Sequence, residues 1–425
     1  MTNVAQLELS RTGLRKTPTV LYTWVGIILV FLALSALLSF LAVQTMSASS
    51  DRIVNSTGPV VVSTQGLVAS IAEADAANTA VFLSGIDGAD EDVSQRRLYE
   101  SALARAPQQI EDISAGIGDD DITHDALKEV AQQLTEYSGV VERARLANAN
   151  GLDGATASLE ESLALTGGAN GMLANAAEIT TRTEARFSDD TQAGLIVLFV
   201  ALSVLIVTLI LLIVAQLRLR KLTQRLVNVG LVLSTVFVVA LIVWLSAATV
   251  GRFADLNNAR DEVFGDIAIS AQLQTAAFDY KTQETGAIIR ENATELPDPT
   301  SLDDIDAFLG NIDALSDSPR ERALAVEVNT RWNRYLLASG VIAQRVNASN
   351  FDQARIDVSG EGNQTFNGFN TSLEALLLIN QEQFDTSVTS AASRLAWLNY
   401  GVLIIPFLAG IAAWLGYRPR INEYF

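Results

Sequence analysis

The most sharply placed chemistry in this sequence is basic. Arg218, Arg220, Lys221 and Arg225 crowd into one short stretch, and Arg418 and Arg420 form a second group. Such clusters can hold anionic lipid headgroups or an acidic partner surface. They also mark the cytoplasmic side of a membrane protein, which is the simpler reading. The only histidine, His124, stands in Asp119-Asp120-Asp121-Ile122-Thr123-His124-Asp125. That run offers oxygen ligands for a divalent ion, but it lacks the alternating ligands, central glycine and terminal glutamate of a calcium loop. It reads as a solvated turn capping a helix. Gly167-Gly168-Ala169-Asn170-Gly171 has neither a preceding strand nor a following Lys-Ser/Thr, so it is a helix break rather than a phosphate loop. No GxSxG, HExxH or kinase signature occurs. No catalytic, cofactor-binding or metal-ligating residue is assigned, and the chain is expected not to be an enzyme.

Those residues are positioned by an apolar framework. The 425 residues are 49% hydrophobic, and the excess sits in four blocks: 19–45, 193–216, 226–250 and 394–416. A spanning helix needs about 20 mostly apolar residues, because each rises about 1.5 Å through a hydrocarbon core about 30 Å thick. All four blocks qualify. The first is longer than the h-region of a signal peptide, typically about 7–15 residues, and reads as a retained anchor. The basic residues then orient the chain. The leader 1–18, the loop 217–225 and the tail 417–425 carry nine Lys and Arg against two acids, Glu8 and Glu423. The long segments 46–192 and 251–393 hold the other 46 of the 48 acids. Both termini and the basic loop are therefore expected in the cytoplasm of a multi-pass cell-membrane protein. Trp24 and Trp414 would lie near the inner face, Trp244 and Trp397 near the outer. A net charge of −19 argues against nucleic acid. The absence of cysteine leaves packing alone to hold the exported segments together.

Both long segments read as bundled helices. Leu67, Ile71, Ala74, Asn78 and Val81 follow 4-3-4-3 spacing, and Leu127, Val130, Leu134, Tyr137 and Val141 follow 3-4-3-4. Leu324, Val328, Trp332, Tyr335 and Ile342 repeat the rhythm in the second segment, as do Phe366, Phe369, Leu373, Leu376, Asn380 and Phe384. Breaks are expected at Gly85–Gly88, at 116–121, at Ser301 with Asp304 as a variant capping box, and at Ser318-Pro319. The last helix of each segment is expected to run into the next span without Pro or Gly. Segments, spans and a shared Asn-Ala-x-x-Φ-Asp-x-Ala pattern (Asn148–Ala155, Asn347–Ala354) recur roughly 200 residues apart, as in a duplication. The pattern's Asp153 and Asp352 fall where a capping carboxylate is expected. The fold class is thus an all-α membrane protein: four transmembrane helices and two extracytoplasmic four-helix-bundle, sensor-like domains in tandem.

Local motifs carry a family resemblance. Ala74-Asp75-Ala76-Ala77 precedes Phe82-Leu83-Ser84-Gly85; Arg96-Arg97-Leu98-Tyr99 and Ala102-Leu103-Ala104-Arg105-Ala106 follow; the terminal run is Arg418-Pro419-Arg420-Ile421-Asn422-Glu423-Tyr424. With the paired span–bundle–span layout, these resemble the actinobacterial GlnX-type four-pass signal transducers. The terminal run departs from the family's Arg-Leu-x-Glu-Tyr-Arg form at Ile421 and Phe425. The resemblance implies a relay in which an extracytoplasmic solute-binding lipoprotein (GlnH-like) senses glutamate- or aspartate-type amino acids. A cytoplasmic serine/threonine kinase (PknG-like) would receive the signal, and no cofactor is implied. Arg218, Arg220, Lys221, Arg225, Arg418 and Arg420 are then the candidates for cytoplasmic partner or lipid contact, and a homo-oligomer is compatible with the layout. Two alternatives stay open: a direct small-molecule receptor, and an accessory subunit of a transport or cell-envelope complex.

Overall fold

The computed structural model describes residues 3–86, 91–118, 120–151, 154–223, 228–260, 265–315 and 318–422. Among them every regular element is helical and none is a strand. Among the described residues, four helices are long and apolar enough to cross a membrane, as in a multi-pass membrane protein. The chain divides into two compact units. One gathers residues 1–51, 189–256 and 389–425; the other gathers 52–188 and 257–388.

The first, spanning unit is built from α1 (Asn3–Arg52), α7 (Leu195–Thr223), α8 (Val229–Asn257) and α14 (Leu398–Asn422). Ile28, Leu205, Leu241, Val402 and Ala409 are sealed in its core, while Val30, Phe199, Val243 and Phe407 face outward, as lipid-facing side chains would. Apolar surface drives nothing between helices in lipid, so close approach and polar contacts must hold them. Ser35 and Thr208 hydroxyls meet at 2.9 Å between α1 and α7. Gln216 Nε2 donates to Thr235 Oγ1 at 2.7 Å, joining α7 to α8. Asn228 Nδ2 donates to the Gly416 carbonyl at 2.7 Å, joining α8 to α14. There the helices touch so closely that a Cβ on Gly230 would lie 2.6 Å from Gly416 Cα. Small residues permit similar approach elsewhere on α14, where Ala409 and Ala413 are buried and Gly401 lies directly under the Trp244 ring. The helix α14 runs on through Pro406.

The second unit is a pair of helical bundles. Residues 58–192 supply α2 (Gly58–Ser84), α3 (Val93–Gly116), α4 (Asp121–Ala149), α5 (Ala155–Gly167) and α6 (Met172–Gln192), with α5 and α6 forming one arm broken at 168–171. Residues 265–393 supply α9 (Gly265–Ile289), α10 (Pro299–Leu315), α11 (Pro319–Asn347), α12 (Phe351–Asp357) and α13 (Asn363–Ser393). A π turn at Val358–Gly362 carries α12 into α13. The expected seams are the cores. Leu67, Ile71, Leu127, Val130 and Tyr137 close the first, and Leu273, Val328, Trp332, Tyr335, Phe369 and Leu373 close the second. Ala72 and Ala76 of α2 join that second core, so α2 and α9 zip the bundles together.

Helix starts follow side-chain caps. Asp92 caps α3, Asp120 caps α4, and Ser318 with Glu321 forms a complete capping box behind Pro319. Two expected caps differ. Asp298, not Ser301, takes the α10 start by accepting from Thr300 N at 2.9 Å, because Pro299 at the first helical position sets the start three residues earlier. Asn350, not Asp352, caps α12; Asp352 lies within the first turn, paired with Arg355 at 3.2 Å. Asp153 lies outside the described residues.

The junctions also depart from expectation. The helix α1 passes into α2 through a π turn at Ile53–Thr57, and α8 is followed by a second π stretch at 258–260. On the returning side, α6 stops at Gln192 and the chain turns at Ala193–Gly194 before α7. Gly194 sits at φ +83°, where a Cβ would lie 2.8 Å from Thr45 Oγ1, so only glycine fits the turn. A second turn, at 394–397, separates α13 from α14. The returning helices are interrupted by turns rather than unbroken.

Candidate functional site

The bundle unit holds a cleft of about 940 Å³ between α2, α5 and α6 on one side and α9 and α10 on the other. Its elements explain its chemistry. The helix α2 spends its Leu67–Ile71–Ala74 seam on the first core and its Ala72–Ala76 edge on the second. Asp75 falls between those two edges, facing the cleft. Asp279 is placed the same way on α9, one position beyond the buried Phe278. Glu184 comes from α6, and Thr166 from the end of α5.

Asp75 forms part of the floor. Its Oδ1 is sealed from solvent and has no hydrogen-bond partner. Burial pushes its carboxyl up to about 7; the Thr166 and Tyr137 hydroxyls favour the charged form, while Asp279 across the cleft opposes it. Tyr137 is buried against α3, its ring 6.4 Å from Tyr99, and its hydroxyl likewise lacks a partner at bonding geometry. Asp279 and Glu184 stand exposed at the rim. Partial desolvation raises both carboxyls, countered at Asp279 by Gln283 Nε2 donating at 2.8 Å and at Glu184 by the charge of Arg260. The cation in the lining, Arg290, is taken by Glu295. Among the described residues, three carboxylates thus surround the space, against one guanidinium that already has a partner.

Among the described residues, no three His, Cys, Asp or Glu side chains come together closely enough to hold a metal ion. His124 makes a bond from Nε2 to the Gly118 carbonyl at 2.8 Å and stands half-buried beside the α4 cap. Asp120 accepts from Thr123 and pairs with Arg186 at 2.8 Å. Asp119 lies outside the described residues. The glycine run forms the 168–171 turn between α5 and α6, and Gly167 lines the cleft.

The basic candidates are not gathered into one site. Arg218 lies over the Trp24 ring at 4.8 Å, a cation–π contact between α7 and α1. Arg220 and Arg418 are exposed on α7 and α14. Arg225 lies outside the described residues, as do the side chains of Lys221 and Arg420. A different arginine, unremarked in the sequence, is buried in the spanning unit. Arg252 is 1% exposed and donates to Ser50 Oγ at 2.9 Å, Ser49 Oγ at 2.8 Å and the Thr191 carbonyl at 3.3 Å. It ties α8 to α1 and to the end of α6, just before the Gly194 turn.

Comparison with known proteins bears on the helices that line one side of the cleft. Residues 49–192 match an actinobacterial sensor domain. That stretch begins in the last turn of α1 and ends on the last residue of α6. The matched region supports a sensor protein of actinobacterial type with a role in sensing and signal transduction. No match was found among curated proteins or among solved structures.

Asp75, Asp279 and Glu184 were not legible as a group, because they come from three helices far apart in sequence. One signal did exist. Asp75 interrupts a run of alanines between seam positions, a place where an acid has no packing role.

Proposed function

We propose that the chain is a transmembrane signal transducer with no chemistry of its own. The basic segments 1–18, 217–225 and 417–425 face the cytoplasm, and the two acidic helical stretches face outward as tandem sensor-like bundles. An extracytoplasmic solute-binding lipoprotein of the GlnH kind loads glutamate or aspartate and engages the bundles; a cytoplasmic serine/threonine kinase of the PknG kind receives the signal. One observation carries this reading. The matched sensor domain has no linker at either end: it starts inside α1 and stops two residues short of α7. A shift in α6 therefore reaches a spanning helix through a two-residue turn.

The bundles must hold two packings, and a partner shifts their balance only by its differential affinity for them. The Ala193–Gly194 and 394–397 turns make the returning helices levers on hinges. The test is crosslinking in native membranes followed by mass spectrometry of what co-purifies. Recovery of both an exported solute-binding protein and a cytoplasmic kinase supports the relay. Recovery of transport or envelope-assembly subunits alone replaces it with an accessory role.

A second reading, direct reception of a small molecule, is favoured by the cleft between α2 and α9.

A further inference from the structure

We propose that the cleft between α2 and α9 is a receptor site for a small organic solute that carries an ammonium group and has no net negative charge. The proposal rests on the sensing reading for its purpose, but not for its chemistry.

Charge comes first. Asp75 lines the floor, and Asp279 and Glu184 stand at the rim, on α2, α9 and α6. Among the described residues, the remaining charged or titratable groups nearby are Arg290, occupied by Glu295; Arg260, beside Glu184; and the Tyr137 hydroxyl, facing Asp75 from α4. The excess is anionic. A free acidic amino acid would add a second carboxylate to this surface and is repelled, which leaves glutamate and aspartate to the proposed lipoprotein.

Second, a buried carboxylate oxygen without a donor is costly. Asp75 Oδ1 is such an oxygen, on a side chain that lines the cleft. A donor delivered by a ligand is what it lacks, and an ammonium supplies up to three N–H groups together with the opposing charge.

Third, the carboxylates are too dispersed for a single metal ion. The occupant must be extended. A volume of about 940 Å³ is of the size that takes small organic ligands. Its walls combine apolar surface, as at Val68, Leu173 and Phe308, with the hydroxyls of Thr180 and Thr275 and the Gln272 amide.

The site is proton-linked. Asp75 holds its proton up to about pH 7 when no cation is bound, and binding a cation displaces it. Affinity therefore rises as Asp75 ionises, by roughly tenfold between pH 6 and pH 8 for one displaced proton.

The experiment is calorimetry on the full chain in lipid nanodiscs, with butane-1,4-diamine as probe and butane-1,4-diol and glutamate as controls, at pH 6, 7 and 8. Saturable binding of the diamine alone, tightening with pH, is expected. Asp75→Asn mimics the protonated carboxyl, so the fold is kept; it should weaken binding tenfold or more and flatten the pH dependence. Glu184→Gln should weaken it several-fold. Asp303→Asn with Asp304→Asn, on exposed positions of α10, should leave it unchanged. The proposal is overturned if the diamine fails to bind, if Asp75→Asn binds as the unaltered chain does, or if the α10 pair matters equally, since the diamine is then only a counterion. If the diamine binds as expected while the crosslinked partners stay the same with and without it, the site stands and the sensing role assigned to it falls.

Discussion

Two faces of α9 handle charge in opposite ways. On one face Lys281 and Glu284 are 4% and 1% exposed, with Nζ and Oε2 3.3 Å apart. Tyr335 donates its hydroxyl to the same Oε2 at 3.0 Å, and the Lys281 ammonium lies 5.4 Å from the Tyr335 ring centre. Burial pushes the lysine down and the neighbouring glutamate pulls it back. On the other face Asp279 looks across the cleft at Asp75, and no cation pairs with Asp75 among the described residues. The lesson is about where each charge finds its partner. The ion pair has its partner inside the bundle and serves the fold, whereas the carboxylate over open volume has none and is available to a ligand.

The comparison breaks most visibly if the ion pair is not structural. Removing one member strands the other in a low-dielectric core, which costs about 3–5 kcal/mol, while replacing both with apolar residues is often neutral. Glu284→Gln should destabilise the full chain by about that amount, and Lys281→Met combined with Glu284→Leu should recover most of it. Thermal melting followed by tryptophan fluorescence reads this core directly, since Trp332 packs 5.2 Å from Tyr335. A Glu284→Gln variant that melts with the unaltered chain would show the pair to be dispensable.

The cleft face should respond in the opposite sense. The Asp75 carboxyl is protonated up to about pH 7 when folded, but only up to about pH 4 when unfolded. Its contribution to stability is therefore complete below about pH 4 and is lost as pH rises to about 7. Asp75→Asn keeps the neutral form throughout. Its advantage should be near zero at pH 4, grow to about 2–4 kcal/mol at pH 8, and be flat above; the lower figure allows for the part of the side chain that water reaches. Melting curves from pH 4 to 8 test it, and a gain that shrinks with rising pH would refute the assignment.

How much of this was legible depends on the length scale of the signal. Four uninterrupted apolar blocks announce four spanning helices, because a bilayer tolerates nothing else over about 20 residues. The seams at Leu127–Val141 and Phe366–Phe384 announce their buried faces by spacing alone, and Ser318-Pro319 announces its helix start. The cleft is a property of two bundles meeting along α2 and α9, and no local pattern in either half contains it. The hinge was misread for a related reason. Gly194 was counted within a span, whereas it turns the chain at positive φ close against Thr45 and Met46, far away in the sequence.

Smaller effects sharpen the contrast. Tyr335→Phe removes one hydrogen bond to the buried Glu284 without changing the packed volume, and should cost about 1.5–3 kcal/mol, as expected for a bond to a charged acceptor. The loss should vanish in the background of the doubly neutral Lys281→Met, Glu284→Leu chain, because the hydroxyl then has no charge to serve. Additive losses in that cycle would mean that Tyr335 acts through packing and not through the pair.

Asp279→Asn provides the finest test. Asp279 shares the cleft with Asp75, but it is exposed at the rim and already accepts from Gln283 at 2.8 Å. Water screens its charge, so its effect on stability should stay within about 0.5 kcal/mol and follow the sign of Asp75→Asn: a small gain that grows as pH rises. It should also shift the pH midpoint of the Asp75→Asn comparison downward, because the nearby negative charge is one of the influences holding Asp75 protonated. If Asp279→Asn leaves that midpoint in place, the two carboxylates do not sense each other, and the cleft is two separate acidic positions rather than one site.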